Sequence, residues 1–163
     1  MRRLMGAVAL AGVAACGGAD AERGVVIAEQ RVVVQDRFAI RRSAHGFDAT
    51  LSRLLEALDR RDLTVFAVID HAAAARDAGA DLAPTTVVIF GNPEAGTPLM
   101  RAAPVMGAEL PLRALVYERD GSVFIAVTGM ANLARTYPLA EQAGIVDRVE
   151  ATLAEIADEV TEV

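Results

Sequence analysis

Two histidines, one cysteine and a complete absence of lysine leave this sequence few side chains able to do covalent or acid–base work. Asp70-His71 is the most suggestive pair, because it closes an uncharged apolar run at residues 63–69. The end of a strand is a common place for working side chains. A nearby carboxylate raises a histidine's pKa and can orient it as a base or a ligand. The plainer reading is that Asp70 caps the alanine-rich segment that follows and His71 packs in its first turn. Adjacent residues usually point different ways, so a direct Asp70–His71 bond is not implied.

A second candidate lies in residues 85–96, Thr-Thr-Val-Val-Ile-Phe-Gly-Asn-Pro-Glu-Ala-Gly. The run 86–90 reads as a strand buried on both faces and stopped by Gly91-Asn92-Pro93. Thr97 suits an N-cap and Pro98 the first helical position, so a helix is expected over 97–103. Backbone N–H groups at that helix start could hold a small anion. The spacing matches neither Gly-x-Gly-x-x-Gly nor a Walker loop, and a tight corner needing glycine is the favoured reading of these residues. The candidate ligand-binding set is therefore Asp70, His71, Phe90, Gly91, Asn92, Gly96 and Thr97. It requires the corner after Phe90 to fold back towards the end of the strand that closes at Ile69.

Metal chemistry has little to work with. His45 and His71 are too far apart for helical ligand spacing. His71 with Met100 or Met106 could form a copper site, but methionine on a helix more often fills core. No metal and no cofactor is expected. The missing lysines also remove Schiff-base and Walker-lysine chemistry.

The amino terminus points to an address. Arg2 and Arg3 precede an apolar stretch at 4–15, the build of a secretory signal and too short for a membrane span. Val13-Ala14-Ala15-Cys16 resembles the lipobox of bacterial lipoproteins, with cleavage before Cys16 and lipid on its sulfur. The alternative is a plain signal peptide that leaves an odd free thiol. Gly17 follows, where aspartate typically retains lipoproteins in the inner membrane, so the outer membrane facing the periplasm is expected in a host with two membranes. Residues 1–15 are thus read as signal peptide, 16–24 as lipidated cysteine and tether, and 25–163 as a single domain.

The chain has 163 residues, 53% hydrophobic and 4% aromatic, so its core must be aliphatic. A formal charge of −6 argues against affinity for nucleic acid or anionic lipid. Residues 25–28 and 31–34 are β-like pieces, an extra edge strand or an extended arm. Arg37 to Ser43 alternates as a half-exposed strand. Residues 47–61 form a clear helix, with Phe47, Leu51, Leu54, Leu55 and Leu58 on one stripe. Residues 63–69 read as a strand and 72–78 as a short helix stopped by Gly79. Pro104 breaks the helix after Thr97. Residues 112–118 and 122–128 form a hairpin about Asp120-Gly121, followed by a short helix at 131–136. Residues 144–160 are an amphipathic helix whose acidic last turns oppose the helix dipole and should fray. The order β-α-β-α-β-α-β-β-α-α indicates an α+β fold, a mixed sheet of about five strands with helices packed on one face.

Several segments together resemble a known family. They are Thr64-Val65-Phe66-Ala67-Val68-Ile69-Asp70-His71, Pro84, Phe90-Gly91-Asn92-Pro93, Gly96-Thr97-Pro98-Leu99-Met100 and Leu110-Pro111-Leu112, with the strand through Val116 and Glu118. The pattern is similar to the bacterial and archaeal domain of unknown function 302 over about residues 37–138. Thr128-Gly129-Met130-Ala131 departs from the Asn-Asp-Pro type of segment seen in many relatives. The resemblance implies a compact α+β fold, often dimeric, and no established activity. The functional expectation is a lipid-anchored envelope domain, tied to the membrane through Cys16, that binds a small ligand or an envelope protein without catalysis. The alternatives are an enzyme using Asp70 and His71 near the 90–93 corner, and a structural homodimer formed by a sheet edge or the Phe47 helix.

Overall fold

The computed structural model describes residues 37–162 and the backbone of two short strands, β1 (Val25–Ile27) and β2 (Gln30–Val32). The expected signal peptide, Cys16 and tether lie outside the described residues. β1 and β2 pair antiparallel with each other, Val25 opposite Val32, in place of the expected edge strand or arm. Val34–Val163 forms a compact unit by itself.

Within that body the order is β3 (Phe38–Arg42), α1 (Phe47–Asp59), β4 (Thr64–Asp70), α2 (His71–Asp77), β5 (Thr85–Gly91) and α3 (Pro93–Ala102). A 3-10 turn at Pro104–Ala108 leads to β6 (Leu112–Arg119), β7 (Ser122–Thr128), α4 (Met130–Thr136) and α5 (Ala143–Thr161). Asp120 and Gly121 take φ values of 51° and 70°, the left-handed pair that a two-residue hairpin turn demands.

The α+β class with about five strands holds, but the sheet is antiparallel throughout rather than mixed. Its order is β3-β7-β6-β5-β4, and every neighbouring pair runs antiparallel. The reason lies in the connections. Asp70 pairs with Thr86 across α2, and Phe90 pairs with Leu112 across α3. Both helices return the chain to the sheet end it left, as long hairpins. Only α1 crosses the sheet, from one edge to the other.

Register and burial separate two faces. Val88, Phe90, Leu112, Ala114, Val116, Ile125 and Val127 are buried and form one face of the core. α1 lies against β4 and β6, and α5 against β3 and β7. On the other face Val87, Ile89, Leu115, Tyr117 and Phe124 are half-buried, with Tyr117 and Phe124 stacked 5.4 Å apart. Strand β5 is thus buried on one face, not two.

Helix α5 does not end as its sequence suggests. Arg53 donates to the carbonyl of Glu159 at 2.7 Å, and His45 Nε2 sits 2.8 Å from the carbonyl of Glu162. Arg41 pairs with Asp158 at 3.2 Å, and Glu159 holds both Arg60 and Arg61. Five cationic or neutral donors from β3, α1 and their junctions therefore satisfy the acids and orphan carbonyls that would otherwise loosen the last turn. Hydrogen bonds from Arg60, then Arg61, hold the Glu159 carboxyl below its usual 4.5. That contribution is present above the ordinary carboxylate range and is lost as pH falls through the lowered value. In urea titrations, Leu54→Ala should cost about 2–5 kcal/mol, because Leu54 is fully enclosed. Glu159→Gln should cost less and flatten the acid limb of the stability–pH curve.

Candidate functional site

The two expected halves of the site fall at opposite ends of one strand pair. Asp70 stands opposite Thr86, whereas Gly91 stands opposite Thr64. At ~3.4 Å per residue, Asn92 is displaced roughly 20 Å along the sheet from Thr86 and Asp70. The fold-back of the Phe90 corner onto the end of β4 is therefore corrected. The antiparallel β4–β5 pairing sends the two chain reversals to different poles. An enzyme that joins Asp70 and His71 to the 90–93 corner loses its geometry.

At its own pole Asp70 is a helix cap: its Oδ1 accepts from the Ala73 N–H at 2.8 Å, and His71 opens α2 with an exposed side chain. At the other pole the helix starts earlier than expected. Asn92, not Thr97, is the N-cap, accepting from the Glu94 N–H at 2.7 Å, and Pro93 takes the first helical position. Asn-Pro at cap and N1 outcompetes Thr-Pro five residues on, because asparagine caps at least as well as threonine. Thr97 lies inside α3 and donates to the Pro93 carbonyl at 2.7 Å, and Pro98 sits within the helix. The Ala95 and Gly96 N–H groups both reach the Asn92 carbonyl, at 3.1 and 2.9 Å. The donors expected to meet an anion are thus taken by the chain itself.

The corner does line a cavity of about 480 Å³. Phe90, Gly91, Asn92 and Gly96 contribute to it; Asp70, His71 and Thr97 do not. Leu63 and Leu99 extend the apolar wall, Leu110 and Leu112 close one side, and Met130 lies at the start of α4. The facing wall is α5, through Val149, Thr152 and Leu153. Arg61, Arg148 and Glu155 furnish its charged groups, and the latter two are exposed. Arg61 is committed: its Nη2 lies 2.8 Å from Glu159 and 3.9 Å from Glu155, and its Nη1 donates to the Ala57 carbonyl at 3.1 Å. Arg148 has no ion pair among the described residues. Among the described residues no three of His, Cys, Asp and Glu gather as a metal site, and Met106 is buried in the core.

Residues 39–160 match the family described as "Domain of unknown function DUF302". The chain belongs to the DUF302 family. The match extends past the motifs read from the sequence and takes in nearly all of α5. A crystal structure of an uncharacterized conserved DUF302 protein from Bacillus stearothermophilus has the same fold, with a TM-score of 0.67 at 21% identity, covering 76% of this chain and 97% of that one. Curated relatives include fluoride-specific ion channel FluC 1 of Brucella suis, 39% identical over 98 residues, which are 60% of this chain and 39% of that protein. FluC 1 of Brucella abortus is 39% identical over the same length and 36% of its own chain. This chain therefore spans under two-fifths of the curated relatives it matches.

The DUF302 cavity draws half its wall from residues that no motif marked. Arg148, Val149, Thr152 and Leu153 sit one turn apart on α5, and the amphipathic stripe through Val149 and Leu153 was the available signal. The Arg148–Thr152 edge of that stripe carried no cue that it faced a void. In denaturant melts, Asp70→Ala and Asn92→Ala should each cost about 1 kcal/mol as lost caps. His71→Ala should stay within about 0.5 kcal/mol of the parent, as expected for an exposed side chain.

Proposed function

We propose that this DUF302 chain is a lipid-anchored domain of the cell envelope that holds a small ligand in the cavity between the Phe90 corner and α5, without catalysis. The attachment reading rests on Arg2-Arg3, the apolar stretch to Ala15 and Cys16. It places the domain on the outer membrane facing the periplasm where the host has two membranes. The observation that carries the binding reading is the cavity itself. Its size falls within the range of about 300–1,000 Å³ found for ligand pockets, with apolar walls and a few polar groups. The polar lining is arginine, asparagine, threonine and glutamate, and the Thr152 hydroxyl already donates to the Arg148 carbonyl at 2.9 Å. That furnishing suits holding and orienting a molecule.

The channel named in the Brucella relatives is not carried over, since the match leaves more than three-fifths of each of those proteins outside it. No described helix is long and apolar enough to cross a membrane.

A second reading, a homodimer, is favoured by β4. This edge strand exposes Val65, Phe66, Val68 and Ile69, at 37%, 53%, 48% and 41%. An apolar edge with unpaired backbone groups invites a second copy of itself across a two-fold axis. The Phe47 helix is a poorer surface, because α1 turns Leu54 and Leu58 into the core.

Titration with the neutral dye phenylnaphthylamine should show saturable binding to the purified chain. Ala95→Phe, which fills the cavity from α3, should weaken it by about tenfold or more; unaltered dye affinity in that variant would remove the cavity as the site. Cys16→Ser should release the chain from the membrane fraction and abolish labelling by radioactive palmitate. Light scattering across a concentration series tests the dimer: Val68→Arg should give monomers, and a parent monomer at high concentration ends that reading.

A further inference from the structure

The cavity's charge pattern narrows what can fill it. Its lining sets two arginines against one glutamate, in a protein whose formal charge is −6. Arg61 is spent on Glu159, Glu155 and a backbone carbonyl. Among the described residues Arg148 is the lining guanidinium left without an ion pair, exposed on α5 beside the apolar wall formed by Val149 and Leu153. The Thr152 hydroxyl points its proton at the Arg148 carbonyl and leaves the guanidinium alone. Across the rim, the Asn92 side chain uses its oxygen to cap α3. Its amide NH₂ therefore remains as a second donor on the same cavity.

Resting on the small-ligand reading above, we infer that the ligand is an amphipathic monoanion, an alkyl or aryl carboxylate. Its apolar part lies against Leu63, Leu99, Met130 and Leu153, and its acid head is held by Arg148 with support from Asn92. A planar carboxylate matches the two-pronged guanidinium edge, and such charge-assisted bonds are about twice as strong as neutral ones. The count of charges selects a monoanion. Among the described residues Arg148 is the one lining cation without an ion pair, so a phosphate dianion would leave its second charge unmatched in a cavity that Glu155 also lines. A cationic amphiphile would set its head against Arg148. A neutral one would fill the walls and leave the guanidinium unused. The protein's net negative charge is no obstacle at this range, because beyond a Debye length of about 8 Å exposed charges are largely screened.

The test follows the methyl signals of Leu63, Leu99 and Met130 by NMR, using the full chain carrying Cys16→Ser so that no attached lipid competes. Decanoate, decanol, decyl phosphate and decyltrimethylammonium are titrated in turn. Decanoate should shift these methyls and bind about tenfold or more tightly than decanol, with the difference shrinking as salt is raised. Arg148→Ala should reduce decanoate affinity by about the same factor and leave decanol unchanged, while Arg148→Lys recovers part of the loss. Arg148 is exposed, so an unaltered methyl spectrum in the unliganded variant confirms its fold. Equal binding of decanoate and decanol, tighter binding of decyl phosphate or of the cation, or no effect of Arg148→Ala would overturn the carboxylate assignment and leave the cavity reading standing. Methyls that none of the four amphiphiles shifts would remove the cavity reading and this inference with it.

Discussion

The position of α5 across the buried face of the sheet is the constraint on which the rest depends. Leu153, Ile156, Ala157 and Val160 are enclosed there, in one cluster with Leu54, Ala57 and Leu58 of α1. That contact decides where the opposite wall of the cavity stands. It is an apolar contact, and its strength comes from removing aliphatic surface from water, at about 25 cal/mol per Å². The arginines at the far end of the helix contribute differently. Exposed ion pairs are weak individually. Arg41, Arg53, Arg60 and Arg61 instead give the helix its register, since each has its partner at a definite turn of α5.

The same helix serves a third element. Glu150 reaches from α5 to the start of α4, where its Oε2 accepts from the Met130 and Ala131 N–H groups at 2.6 and 3.2 Å. Gly129 offers no capping side chain of its own. The start of α4 is thereby capped by a residue twenty positions away in the chain. One helix thus closes the core, bounds the cavity and completes a neighbour. Buried polar groups nearby are handled locally: Thr50 is fully enclosed, and its hydroxyl meets both the Gly46 carbonyl and the Ser43 hydroxyl, at 2.9 and 2.8 Å.

Much of the fold could be read along the chain because its signals are local. The stripe through Phe47, Leu51 and Leu54, the alternation at Val123, Ile125 and Val127, and the Asp120-Gly121 turn each depend on residues within a few positions of one another. Helix starts were less legible. Thr97-Pro98 and Asn92-Pro93 offer the same kind of start, and which of them caps α3 was settled where β5 ends, at Gly91. The contacts at the end of α5 were illegible for a related reason. The cations that stabilise its end come from β3 and α1, roughly a hundred residues earlier in the chain, so a rule confined to the helix could not count them.

By itself, the amino-acid sequence determined the aliphatic core, the α+β class and, through its motifs, the DUF302 family, and it matched the element order loosely. These follow from periodicity and turn chemistry, which act over short stretches. Tertiary structure alone decided that Asp70 and Phe90 face opposite poles, because strand pairing turns neighbours in sequence order into antiparallel partners. It alone decided that Arg148 borders a void while Arg61 is bound. A cavity is space left between elements, and no single segment encodes it.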